Sequence, residues 1–586
     1  MVGPIWLIIF LGLMIPNRGE WILGGWDSGI YVNEGIALER TGGVQPDDTF
    51  FYTDLTSKEQ AVFIRSLQGR EERFPGVVTD SEKQTFQFEF FRLTPSLLAI
   101  FYRSGGMHGI VHTHTIIGLL MIICFLALLL NVTDYRHALC SALFLIAQPI
   151  WLYHTYTPLS EPLELLFIIG IGIVLPWRDE KSLPTLFLGL VVFLLILNRF
   201  SFLPFAGILV CIVTWLDIER NNRAQAVQEH LALWIFIISA ALIGIWIAPT
   251  SLKTWDVLPI MLAITGLCLG LSIAIDTVAF RPTYRERFCH WPSWINPLFV
   301  IMTFLLLIAL WFRKKYFPGN EHAENLYKLI FYTGPLLFLT ACMGGWLLFC
   351  TNKQRLSKSI RFFILFLTGI TLLLLIHKNI HDWYPWATRR YLSFTVPLLA
   401  ILAGYPLFLV WKMFPKKGGI IALSLLTIIL LPTLQKGYHA WNHTEYNGIT
   451  TLIKQIAHQI DEDDIIVTDH PWWGTPLAII YGKKVLDGKR LWIDKTKENM
   501  KIGLKLFERL NQKGKRIRFL TSTSNGLSTY PLPIEPVTLD WSSSPVEFKE
   551  IIQHRHAQSF DLRAKENIFQ LYTYGKKIEG KEIGGS

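Results

Sequence analysis

The chain has 586 residues, of which 51% are hydrophobic and only 17% charged, with a formal net charge of +10 at pH 7. A soluble chain carries about a quarter charged residues, so this composition excludes a soluble globular protein and indicates a chain that crosses a membrane many times. The basic excess is dispersed, which excludes the stripe or patch of a nucleic-acid binder.

Apolar runs long enough to cross a bilayer lie near 3–16, 111–131, 136–153, 159–176, 183–198, 201–217, 230–248, 256–274, 294–312, 327–350, 360–376, 391–412 and 418–434, which predicts about thirteen spans. The first run lacks a basic leader and a small-residue cleavage site, so it reads as a retained anchor. With the N-terminus cytoplasmic, the inner loops hold the richer set of cations, among them Arg136, Arg178, Arg220, Arg223, Arg285, Arg287, Lys353, Arg355, Lys416 and Lys417, as the positive-inside rule requires. An odd number of spans puts the tail outside. The chain then divides into a transmembrane part, 1–434, and a soluble extracytoplasmic α/β domain, 435–586. None of the 7 cysteines falls in the long outer loop or the tail, so neither has a disulfide framework, and no Cys spacing suggests zinc.

The long outer loop, 17–110, must contain elements of its own. Residues 30–37 read as a short helix, and 95–103 as an interfacial amphipathic helix that returns the chain to the membrane. In the tail, helical patterns at 448–460, 476–481 and 501–512 alternate with strand patterns at 464–468, 484–487 and 516–521, which predicts a largely parallel sheet. No Gly-rich phosphate loop is present, and no internal repeat of the inverted-transporter kind.

Asp27, in Trp26-Asp27-Ser28-Gly29-Ile30-Tyr31, is a carboxylate at the membrane boundary. One reading makes it a helix N-cap, with Trp26 and Tyr31 as a hydrophobic staple around it. A second makes it a general base held rigidly at the water boundary. Glu161, in Ser160-Glu161-Pro162-Leu163, opens the fourth span on the same side as Asp27. It reads either as a helix-start residue or as an acid facing a site. Arg199 sits in a connection with almost no loop, and Lys378, His381, Arg389, Arg390 and Tyr391 gather before a late span. Snorkelling at the interface explains such residues, and so does a phosphate at the outer leaflet, to which Arg offers a planar bidentate donor set.

These residues fit one chemistry. A sugar on a polyprenyl phosphate has a good leaving group, so one carboxylate base and a cationic phosphate clamp suffice, with inversion at the anomeric carbon. Glycosidases need a second carboxyl as acid. His112 and His114 fall on different faces of a helix, which argues against a shared metal. The Asp469-His470-Pro471-Trp472-Trp473 segment ends a tail strand, and reads either as packing on the membrane part or as an acceptor site.

The chain resembles the GT-C superfamily of membrane glycosyltransferases, in particular the family 39-like branch that includes protein O-mannosyltransferases and lipid A aminoarabinose transferases. The resemblance rests on Asp27 after the first span, on Pro95-Ser96-Leu97-Leu98-Ala99 at the end of the outer loop, and on Ser160-Glu161-Pro162-Leu163. It rests further on Arg199, on Arg390-Tyr391-Leu392 and on Val396-Pro397-Leu398-Leu399-Ala400. It implies a GT-C-type polytopic helical membrane protein of a bacterial inner membrane. The implied activity is transfer of a sugar from a polyprenyl-phosphate donor to a glycan, lipid or protein acceptor.

It also implies Asp27 as catalytic carboxylate, Glu161 as the second acid, and Arg199 and Arg390 as ligands of the lipid phosphate. Many members have Asp-Glu at the first site, whereas Asp27 is followed by Ser28; Glu34, two helical turns on, is a substitute for the missing acid. Relatives with and without a divalent cation leave metal use open. The rivals are a transporter of lipid-linked sugars, which would place acids at mid-membrane depth, and a membrane-anchored scaffold.

Overall fold

The structure, a computed structural model, describes residues 19–42, 45–67, 70–179, 183–219, 222–247, 257–281, 295–316, 324–351, 358–377, 388–414, 416–489, 491, 497–523, 537–552 and 561–574. The first apolar run, 3–16, lies outside them. The described residues of the later apolar runs lie mostly on helix. Seven described helices are long and apolar enough to cross a membrane, or eight if the pair Asn325–Thr333 and Pro335–Cys350, bent by 102°, is one span; four more apolar helices are shorter. Their outward faces are bare hydrocarbon: Leu267 is 73% exposed and Leu339 63%. A helix satisfies its own backbone polar groups, so lipid tolerates such a surface where water does not. The chain is a multi-pass helical membrane protein.

At one end of this bundle lies helix α1, Asp27–Thr41. It starts earlier and ends later than the expected 30–37. Gly42, left-handed at φ 59°, terminates it, the usual use of a glycine after a helix. After two short helices, Thr49–Thr53 and Ser57–Phe63, comes an antiparallel sheet of four strands in the order β1 (Arg65–Leu67), β2 (Arg70–Phe74), β3 (Val77–Asp80), β4 (Thr85–Phe88). The sequence reading did not anticipate this sheet. The strands are three to five residues long, and β2 is mostly charged, so no clean alternation marks them. Helix α2, Leu93–Val132, contains both the expected return helix and the next span; the two are joined at Gly105 and Gly106, where the backbone leaves helical angles.

The C-terminal part holds helices α7 (Ile449–His458), α8 (Pro471–Ile479) and α9 (Lys497–Gln512) with a five-stranded sheet. The sheet order is β6 (Lys484–Asp487), β5 (Ile465–Thr468), β7 (Ile517–Thr521), β11 (Gln570–Tyr574), β8 (Val537–Ser542). The first three are parallel, as expected, but β11 runs antiparallel to both of its neighbours, so the sheet is mixed. Strands β9 (Val546–Ile552) and β10 (Asp561–Asn567) form a separate antiparallel pair.

The loop and the tail share one core. Phe51, Leu55, Val62 and Phe63 of the loop are buried in one cluster with Ile465, Val467, Leu486, Phe507 and Phe519 of the tail. Arg73, fully buried in β2, grips Asp48 through Nε and Nη2 at 2.8 and 3.3 Å, and its Nη2 also donates to the Val485 carbonyl of β6 at 2.8 Å. Glu20 accepts from the amides of Gly448 and Thr450 at the start of α7, satisfying donors that a helix start leaves open. Arg509 of α9 donates to Glu59 at 2.7 Å and to the Asp54 carbonyl at 2.7 Å.

Candidate active site

Four elements meet at the Asp27 end of the bundle. The first is the turn before α1, where Gly25 stands at φ 82° and the Gly24 amide donates to the Trp472 carbonyl at 3.0 Å. This turn delivers Asp27 as the first helical residue. The N-cap is Trp26, and no side chain caps the helix. The capping reading of Asp27 is therefore corrected: its carboxylate pairs with Arg389. The staple fails as well. Trp26 packs on Trp472, ring centroids 5.6 Å apart, and Tyr31 stacks on Phe90 at 4.6 Å.

The second element is helix α3, Ser160–Val174, whose first turns present Glu161 and Glu164 three residues apart and so on one face. The third is Arg199, between α4 (Leu183–Asn198) and the turn Phe200–Phe202. The tight connection is pinned: Asn198 donates to the Ser160 carbonyl at 2.9 Å, and Thr94 donates to Asn198 Oδ1 at 2.7 Å. The fourth is helix α5, Arg389–Leu392, just before α6, Thr395–Met413.

Together they make an alternating charge cluster. Arg199 Nη1 donates to Glu161 Oε1 at 2.9 Å and to Glu164 Oε2 at 3.0 Å. Arg389 bridges Asp27 and Glu161, its Nε lying 3.2 Å from Glu161 Oε1. Ser393 Oγ donates to Glu164 Oε2 at 2.8 Å, tying the arginine helix to α3. Burial works against the charge on Arg389, but Asp27 and Glu161 outweigh it and raise its value. Arg390 differs. Burial, then Arg389 and Arg199, pull its guanidinium below the usual arginine value. Among the described residues its side chain has no ion pair or hydrogen-bond partner.

Three carboxylates thus face three guanidinium groups, two of the latter engaged and one not. Glu161 and Glu164 are buried, at 3% and 4% exposure, whereas the Asp27 side chain is 34% exposed. The acid open to an incoming molecule is Asp27.

The other expected site residues fall as follows. Tyr31 is buried beside the cluster, within hydrogen-bond reach of Ser160; burial, then the Glu161 charge, raises its hydroxyl well above the usual range. Glu34 is fully buried and faces Arg92 at 3.9 Å, not the arginines of the cluster. Tyr391 is fully buried and donates to the Asn325 carbonyl at 3.0 Å, a strut toward a neighbouring helix. Lys378 and His381 lie outside the described residues. His114 is buried against the Leu159 carbonyl at 2.9 Å, and the Trp472 segment packs on Trp26, beside Asp27. Sequence reasoning missed Glu164 and Ser393 as parts of the cluster. The three-residue step from Glu161 to Glu164 was the available signal for one of them.

Among the described residues no group of three or more His, Cys, Asp or Glu is placed to hold a metal ion.

No known protein-family profile matches the chain, and no curated protein matches it by sequence. Solved structures do match. An oligosaccharyltransferase of Archaeoglobus fulgidus in complex with Zn and sulfate superposes with a TM-score of 0.55 at 12% identity, over 90% of this chain and 69% of that one. The same organism's oligosaccharyltransferase AglB, with an inhibitory peptide and a dolichol-phosphate, gives 0.51 at 10% identity, over 90% and 71%. ArnT from Cupriavidus metallidurans, bound to undecaprenyl phosphate, gives 0.39 at 11% identity, over 97% of each chain. The first two superpositions cover 90% of the chain at TM-scores above 0.5, and the chain has the GT-C fold.

Proposed function

We propose that the protein is an inverting glycosyltransferase of the family 39-like kind. It moves a sugar from a polyprenyl-phosphate donor to a glycan, lipid or protein acceptor on the outer face of the membrane. The observation that carries this is the convergence of Asp27, Glu161, Arg199, Arg389 and Arg390 from separate elements onto one end of the bundle. Asp27 is the base because it is the exposed acid. Arg390, without an ion-pair or hydrogen-bond partner among the described residues and crowded by like charge, is the group a phosphate would relieve, and an Arg fork matches phosphate geometry. The dolichol-phosphate in a structure of the same fold supports a lipid-phosphate donor. Glu161 and Glu164 orient the arginines, and charge that grows on the departing phosphate is stabilised by groups already in place.

The bundle-end cluster favours this reading over a transporter, whose sites lie near mid-membrane between broken helices. The test is sugar transfer from a polyprenyl-phosphate donor in membranes, comparing wild type with Asp27→Asn at equal expression. Transfer should fall by at least a hundredfold, the scale of losing a positioned base. Undiminished transfer in the variant would remove Asp27 from the mechanism.

A further inference from the structure

The base is held in a contact that the reaction has to break. Arg389 is split between two acids: Nη1 pairs with the rim carboxylate of Asp27, while Nε lies 3.2 Å from buried Glu161 in an ion pair without a hydrogen bond. Arg199, by contrast, is held wholly by the buried pair Glu161 and Glu164. Arg390 follows Arg389 on the same short helix, and its guanidinium lies near enough to those of Arg389 and Arg199 for both to disfavour its charge. A phosphate bound by Arg390 therefore arrives next to Arg389 and competes with Asp27 for it. The phosphate is the stronger competitor, since it offers several acceptor oxygens to a bidentate fork.

We propose that the Asp27–Arg389 pair is a latch operated by the donor. Resting on the function proposed above, the lipid phosphate draws Arg389 from Asp27 and so frees the base only when a donor is in place. The freed carboxylate takes the proton of the acceptor hydroxyl. The acceptor oxygen bonds to the anomeric carbon as the bond from that carbon to the phosphate oxygen breaks, and the electron pair leaves with the phosphate, where Arg389 and Arg390 hold the charge. An acceptor alone meets an occupied carboxylate, so the donor binds first. Glu161 keeps Arg389 tethered while it turns.

Competition for one group is reciprocal. If Asp27 and the phosphate share Arg389, removing the charge of Asp27 must tighten phosphate binding even as it abolishes transfer. Undecaprenyl phosphate is the probe, titrated into the purified full-length protein in lipid nanodiscs. Asp27→Asn should bind it about two- to fivefold more tightly than wild type, the scale of a rim ion pair. Asp27→Glu, which keeps the charge, should bind like wild type. In an Arg389→Gln background, Asp27→Asn should bring no gain.

If Asp27→Asn binds no better than wild type while Arg389→Gln binds worse, the latch is wrong and the phosphate clamp stands. A gain that persists without Arg389 also overturns the latch. If wild type and every variant ignore the lipid phosphate, the proposed function fails and the latch with it.

Discussion

Outside the cluster, Glu34 is a buried acid under electrostatic stress. Neither carboxylate oxygen has a hydrogen-bond partner, and the nearest cation, Arg92, is 3.9 Å away. Burial raises its value from 4.5 to about 8, with Arg92 opposing. The sign follows from linkage. Because the folded value exceeds the unfolded one, the stability associated with the neutral carboxyl is fully present below pH 4.5 and is lost as pH rises through about 8. Glu34→Gln keeps the shape without the charge. Its unfolding temperature in detergent should stay flatter than wild type across this window and exceed wild type above its upper edge. An unchanged pH slope would show that Glu34 is not buried as an uncompensated acid. Such an acid sits badly with a role as surrogate for a second catalytic carboxylate, since it faces away from Arg199 and Arg389.

At the scale of elements, the turn before α1 governs where Asp27 points. Gly25 has φ 82°, and a Cβ there would lie 2.5 Å from Trp472 Cδ1 and Nε1. Gly42, at the far end of the same helix, has φ 59° and open space around it. Gly42→Ala should therefore cost about 1 kcal/mol of backbone strain, whereas Gly25→Ala adds a collision and should cost about 2–4 kcal/mol. Gly25→Ala should also lower transfer by more than its lost stability explains. Thermal unfolding and transfer measured on both variants separate the effects, and equal losses at the two glycines would refute the argument.

This turn also marks the limit of what the chain's text discloses. The seven or eight helices long enough to span were legible because lipid demands long apolar runs. Asp27, Glu161, Arg199, Arg389 and Arg390 stood out as charges beside such runs. Their pairing was not legible: Arg389 meets Asp27 only through the packing of four distant elements, and an Asp before a helix looks like a cap until its partner is seen. Sheet β1–β4 escaped because short, charged strands paired by register alone carry no periodic signal.

Over the whole molecule, the loop between the first spans and the C-terminal part behave as one body, although the sequence divides them between two domains. Arg73 is the fastener. It is fully buried, holds Asp48, lies 3.7 Å over the Phe51 ring and reaches the Val485 carbonyl. Removing it leaves the Asp48 carboxylate buried without its cation. Arg73→Ala should thus cost about 3–5 kcal/mol, and limited proteolysis should cut loop and tail together. Cleavage of the tail with the loop still protected would mean that the two are independent.

The same fastener sets a clock. Arg73 and Val485 are separated by 412 residues of chain. At ribosomal speeds of about 5–20 residues per second, the loop waits roughly 20 to 80 seconds for the strands that complete it. Through that interval Trp472 is missing from behind Gly25, and Asp27 has no fixed heading. A nascent chain that stops short of Trp472 therefore carries the charge cluster and still lacks the support behind Gly25 that positions Asp27. On the proposed function, transfer requires the C-terminal segment that carries Trp472 to have docked behind Gly25.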